Sequence, residues 1–250
     1  MTTGPQRLSV ETADRVALVT LRRPEKRNAL SLELRAELAA SLAMLADDGE
    51  VACAVLTGAG SAFCSGMDTA QFGGDRANRE RIVETSLAAF GAVARFPKPL
   101  LAAVNGPAIA GGFVLALHAD LRLASQTARF GFAELPRGIP PSYAAARAAL
   151  PEPLARELCL TGRLLDADEA LECGLVAEVL APDELLPRTL ELARSVARLP
   201  PWTALEVKRR FLVGADHARA PLFADEERAF RAAVLGPDDS PPAPEARPRS

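Results

Sequence analysis

The 250 residues predict an α/β domain followed by a helical region, and three observations carry that expectation. Short apolar runs rich in β-branched and small residues alternate with stretches of helical period. Gly111 and Gly112 open an apolar helix directly after a strand-like run and a turn. Beyond Pro140 the pattern is helical almost throughout.

The elements follow in order from period and punctuation. Val16–Leu21 is a strand candidate, and Leu30, Leu34, Leu38, Leu42 and Leu45 then recur at helical spacing. Residues 51–56 read as a second strand, followed by the glycine-punctuated loop TGAGSAFCSGMD. Residues 80–96 have helical period, LLAAV at 100–104 is a strand, and residues 121–124 form a short strand after the glycine-opened helix. Later helices are expected over 154–160, 166–173, 185–199, 202–211 and 222–234, with short breaks between them. The last fifteen residues, GPDDSPPAPEARPRS, are proline-rich and charged without apolar period, which reads as a disordered tail. The chain is accordingly divided into a core at 1–195, a helical region at 196–235 and a tail at 236–250.

Composition narrows the function classes. With 49% hydrophobic and 24% charged residues the chain can bury a substantial core. A net charge of -3 offers no basic footprint for nucleic acid. Cys53, Cys64, Cys159 and Cys173 show no paired metal-ligand spacing, so no metal site and reduced thiols are expected, as in a cytoplasmic protein. MTTGPQRLSV has no apolar signal core, and no run approaches about 18 apolar residues, so neither export nor membrane insertion is indicated.

Chemistry enters with the two glycine-rich loops. A helix start presents unpaired N–H groups at the positive end of its dipole, and glycine lets an anionic group approach them closely. The glycine pair alone would equally suit a helix packed against a strand. The second loop adds another bare backbone segment, at Ser65-Gly66-Met67. The N–H groups of Met67 and Gly111 could together bind a developing oxyanion from two sides, each donor being worth about 2.7–4 kcal/mol in a transition state.

FCSGMD, AAVNGPAIAGG and ARFGFAE, taken in that order, resemble the crotonase family, the enoyl-CoA hydratases and isomerases. LRRPEKRNALS upstream looks like that family's opening signature, and LTGRLLDADEALECGLVAEVL downstream like its later one. The resemblance implies a spiral of repeated ββα units with a C-terminal helical region, and subunits assembled as trimers or hexamers. It implies an acyl-CoA thioester substrate, with coenzyme A entering as part of the substrate and no separate cofactor. Lys26, Arg27 and Ala29 match the stretch that approaches the CoA nucleotide, although RPEKR by itself would be a solvated loop. Ser65, Asp68, Thr69 and Ala70 match the oxyanion loop, where Asp68 is assigned to binding or to bonding its own backbone.

The carboxylates set the expected reaction. Relatives that hydrate a 2-enoyl thioester use two glutamates, one of them three residues past the oxyanion glycine, where this chain has Val114. The second place, in FAE, is filled by Glu134. An isolated glutamate after a short strand is ordinarily a surface charge, but its place in the motif makes Glu134 the expected base, with burial raising its pKa. One carboxylate holds and delivers water poorly, whereas moving a double bond from the 3 to the 2 position needs a single base. The expected activity is therefore enoyl-CoA isomerisation or weak hydration. Another enolate reaction, or a catalytically reduced binding protein, is the alternative.

The remaining polar residues carry weaker expectations. His118 is read as a hydrogen-bonded core histidine. Ser142 and Tyr143 depart from the small residues common in the family near the pocket wall, and the further acid of the dienoyl isomerases would fall near Ser142. Asp75 and Glu84 occupy the variable segment after the oxyanion loop, where some relatives place a functional side chain.

Overall fold

The amino-terminal turn is set by two residues with positive φ, Asp14 at 52° and Arg15 at 63°. That is the backbone twist a two-residue hairpin requires. A computed structural model of the chain, which describes residues 7–236 apart from the side chains of 215–220, shows β1 (Leu8–Ala13) folded back along β2 (Val16–Leu21) across this turn. Helix α1 (Leu32–Asp47) follows, capped by Ser31, whose hydroxyl accepts from the Leu34 N–H. Its buried stripe includes Leu34, Leu38, Leu42 and Leu45, the helical spacing visible in the sequence.

Strand β3 (Cys53–Gly58) is buried along its whole length and lies parallel to β2. Such a run, apolar on both faces, is what a covered parallel sheet demands. Helix α2 (Arg76–Ala94) leads to β4 (Leu100–Val104), β5 (Ala108–Ile109), α3 (Gly111–His118), β6 (Leu121–Ser125) and β7 (Arg129–Gly131). The chain continues through α4 (Tyr143–Ala149), α5 (Glu152–Thr161), β8 (Leu164–Asp166), α6 (Ala167–Glu172), β9 (Glu178–Leu180), α7 (Pro182–Ala197) and α8 (Pro201–Leu235).

The strands form two sheets. The larger has the order β1-β2-β3-β4-β6-β9, parallel from β2 onward, and the smaller is β5-β7-β8. Each turn of the chain contributes a strand to the large sheet and then crosses to the small one, where Cys64 bridges Ala108 and β5 lies along β7. This is the ββα spiral of the crotonase fold, with α7 and α8 as the helical region. Phe113 of α3 packs between the two sheets against Phe130 and Phe132, with ring centroids 5.9 and 5.0 Å away.

One expectation changes. The break anticipated between 211 and 222 is absent: α8 runs from Pro201 to Leu235 through Pro221. Its two halves are held separately, by Lys208 on Asp120 at 2.8 Å and by Glu226 on Ser142 at 2.7 Å, so tertiary anchoring outweighs the local proline signal. Strands β5, β7, β8 and β9 have two or three residues each, too few to show a period. The expected tail lies, beyond Gly236, outside the described residues. No helix among the described residues is long and apolar enough to cross a membrane.

Candidate active site

Loop 58–68 is shaped by two asparagines. The buried Asn28 amide donates to the carbonyls of Ala59 and Ala62, and Asn105 accepts from the Gly58 N–H while donating to Gly60 O. Further along, Leu30 N donates to Gly66 O at 2.8 Å and Asp68 N to Leu30 O at 3.2 Å. The peptides on both sides of Met67 are thereby fixed. Met67's own N–H has no acceptor among the described residues.

The glycines then bring this loop onto the start of α3. Gly66 has φ +88°, and a Cβ added there would lie 2.8 Å from the Ala110 Cβ and 3.2 Å from Gly111 N. A Cβ on Gly112 would fall 2.1 Å from Cys64 O, so Gly112 serves packing. Gly111 serves the cavity: its N–H is the first of α3, where no intrahelical acceptor exists. The two glycines thus differ, Gly112 being packed against the loop and Gly111 lining the cavity. Ala110 precedes them at φ 53° and ψ -123°, an uncommon backbone for a residue with a Cβ, and donates its N–H to Gly131 O at 2.8 Å.

Glu134 arrives from the opposite wall, as the residue preceding the 3-10 turn Leu135–Arg137. Its Oε2 is buried without a hydrogen-bond partner among the described residues, and burial pushes the carboxyl up to about 7. An unpaired buried carboxyl oxygen is costly, and its natural partner is a group that enters the cavity. Because the folded chain holds this proton more tightly than the unfolded chain, stability falls as pH rises from 4.5 to about 7. If Glu134 acts as a base, it must be in its ionised form. Exchange of a substrate α-proton should therefore rise with pH and level off above about 7, and a pH profile of deuterium incorporation checks this.

A single cavity of about 1540 Å³ joins these groups. Met67, Gly111, Val114 and Glu134 line it, as do Lys26, Arg27, Ala29, Ser65, Asp68, Thr69 and Ala70. Every site residue expected from the sequence thus faces one space. Lys26, Arg27, Thr69 and Ala70 are exposed, and Ser65 N is fixed on Arg27 O at 3.0 Å. Val114 is buried beside Gly111 and presents an apolar wall to the cavity.

Some assignments shift. Asp68 accepts from Ala70 N and pairs with Arg23 at 2.8 Å, so its carboxylate holds the loop as well as facing the cavity. His118 also lines the cavity, with its ring 5.9 Å from that of Phe223, and is not a core histidine. Asp75 caps α2 and Glu84 is exposed on it, and neither lines the cavity. Ser142 caps α4 and faces the cavity, while Tyr143 bonds Glu152.

Sequence reading missed two groups. Arg35 is buried behind loop 58–68, where it donates to Ser31 O, Ile82 O and Ser86 Oγ and touches Met67 Sδ at 3.6 Å. Burial pulls its guanidinium down to about 10. Only its place on the buried face of α1, one residue past Leu34, could have marked it. Glu226 of α8 also lines the cavity, and in the sequence it sits inside the charged run DEER without any signal.

The comparisons agree with this geometry. The family profile described as Enoyl-CoA hydratase/isomerase matches residues 11–235. A probable enoyl-CoA hydratase of Rhizobium meliloti is 40% identical over 197 residues, covering 76% of this chain and 75% of the relative. The (E)-benzylidenesuccinyl-CoA hydratase of Thauera aromatica is 35% identical over 84% of this chain and 83% of its own. Among solved structures, an enoyl-CoA hydratase/isomerase from Mycobacterium paratuberculosis superposes with a TM-score of 0.86 at 25% identity, covering 95% of this chain and 97% of that one. A probable enoyl-CoA hydratase from Mycobacterium smegmatis gives 0.81 at 32% identity, with 90% and 93% covered.

Proposed function

Since the chain belongs to the enoyl-CoA hydratase/isomerase family and is an acyl-CoA enzyme of that family, we propose that it isomerises 3-enoyl-CoA to 2-enoyl-CoA with Glu134 as its single base. The observation that carries this reading is the unpaired, buried Oε2 of Glu134 facing a cavity whose other motif position is the apolar Val114. Glu134 takes the proton from C2 of the thioester, and the electron pair moves onto the carbonyl oxygen. The N–H groups of Met67 and Gly111 receive the resulting oxyanion. Glu134 then returns its proton to C4, the double bond settles at C2–C3, and the carbonyl re-forms.

Lys26 and Arg27 at the exposed mouth suit the phosphates of coenzyme A. Hydration is the second reading, favoured by the hydratases among the relatives. The two separate by assay: 3-enoyl-CoA should be shifted faster than water adds to 2-enoyl-CoA, and a wild type that hydrates faster would sink the isomerase reading. Val114→Glu should raise water addition, because it restores a second carboxylate beside the first. Exposed apolar side chains at Leu199, Trp202, Val207 and Phe211 support a trimeric or hexameric assembly, which light scattering after sizing tests.

A further inference from the structure

Helix α8 crosses the cavity like a strap fixed at two points. At its near end the ammonium of Lys208, buried to 3% exposure, bonds both carboxylate oxygens of Asp120 at 2.8 Å. Asp120 Oδ2 in turn accepts from Leu100 N, so this anchor reaches the large sheet. At the far end Glu226 accepts from Ser142 Oγ at 2.7 Å and from Ala144 N at 2.7 Å. Between the anchors Phe211, Leu212 and Phe223 face the cavity.

The far anchor is built with care. Ser142 Oγ already accepts from Ala145 N, so its proton is free to be donated, and Glu226 takes it. The Ala144 N–H belongs to the first turn of α4, where helix geometry provides no acceptor. Its neighbours on α8 are engaged elsewhere, Asp225 with Arg228 and Glu227 with Arg231 at 3.1 Å. Glu227 also lines the cavity, but of the three acids only Glu226 bonds the start of α4, and burial raises its carboxyl pKa. The segment it grips begins a few residues after Glu134, beyond the turn Leu135–Arg137 and the buried Ile139.

We propose that Glu226 is a positioning residue for Glu134: by tying α8 to the start of α4 it closes the cavity wall beside the base and keeps solvent off the carboxylate that moves the proton. The proposal rests on the reading of Glu134 as base. Desolvation is what tunes Glu134, so a strap that loosens should let water in and return the base toward an ordinary carboxylate. The ionisable groups around this corner are Cys159 of α5, which feels both glutamates, Arg137 on the turn after Glu134, His118 of α3 against Phe223, and Glu227 lining the cavity beside Glu226, while the charge of the neighbouring Asp225 also raises Glu226. Glutamine at 226 can still accept from Ala144 N and bond Ser142, so it keeps the tie while removing the charge.

The experiment follows α-proton exchange of a 3-enoyl-CoA against pH in the full-length protein. Glu226→Ala should lower kcat by about 10- to 100-fold, within the cost of a roughly 1 Å misplacement, with a smaller change in KM. Its acid limb should move down from about 7 toward the ordinary carboxylate range, and Glu226→Gln should keep the wild-type limb. Ser142→Ala, which loses one of the two bonds, should move the limb the same way by less, and it decides the matter if Glu226→Ala fails to fold. An unmoved limb in Glu226→Ala and Ser142→Ala, an effect confined to KM, or a Gln variant as impaired as Ala would each overturn the proposal. Glu134→Gln run alongside separates the two readings: if it retains exchange, the base assignment has failed and this proposal with it, whatever the Glu226 variants do.

Discussion

Replacing Glu134 by glutamine should reduce deuterium exchange at C2 of a 3-enoyl-CoA by about 10²–10⁴-fold, the usual cost of losing a general base. The substitution keeps shape and burial and removes the ability to take a proton. It also removes a carboxyl that folding must desolvate, so the variant should lack the decline in stability between pH 4.5 and about 7 that is expected of the wild type. Urea titrations at several pH values measure that part, and mass spectrometry of the recovered acyl-CoA measures the exchange. Retained exchange would send the search for a base to the other cavity carboxylates. Asp68 is a poor substitute, because its oxygens are bonded to Arg23 and to the Ala70 N–H.

The second large effect belongs to the backbone. Gly111→Pro would delete the oxyanion N–H, and proline is tolerated sterically in a first helical turn. Ala110, however, stands just before it at φ 53° and ψ -123°, a conformation that a following proline would strain further. Replacing the Ala110–Gly111 amide by an ester through semisynthesis removes the N–H and leaves the chain path intact. That change should cost about 10²–10³ in kcat, as expected for a single oxyanion donor. A wild-type kcat in the folded ester analogue would remove Gly111 from the oxyanion site.

Legibility in the sequence followed the length of the signal. β2 and β4 have the bounds their apolar runs suggested, and the leucine spacing of α1 survives as its buried stripe. That the candidate site residues share one cavity was legible because they lie in contiguous motifs: Met67, Gly111, Val114 and Glu134 each sit in a short segment whose backbone conformation is local. What escaped was built by distance. β1 is held by a hairpin turn made of Asp14 and Arg15, of which only Asp14 is a residue that readily takes positive φ. Glu226 meets Ser142 across 84 residues, and no local pattern distinguishes it from Asp225 or Glu227. Arg35 hides in a helix face because a long charged side chain is expected outside.

That arginine has a consequence for how the molecule comes apart. Its guanidinium bonds carbonyls of α1 and α2 and the Ser86 hydroxyl while touching the sulfur of Met67, and no carboxylate bonds it among the described residues. Peeling the oxyanion loop away from α1 would open a path for water to an enclosed cation, and separating the two helices would strip that cation of its acceptors. Loop and helices are therefore one cooperative unit, with no partly opened state of low free energy between them. In native-state hydrogen exchange the amides of Leu30 and Asp68, which pair across this seam, should exchange only as fast as the whole chain unfolds. The loop that lines the candidate site, although loops are ordinarily the first part of a protein to open, would then belong to the slowest-exchanging core.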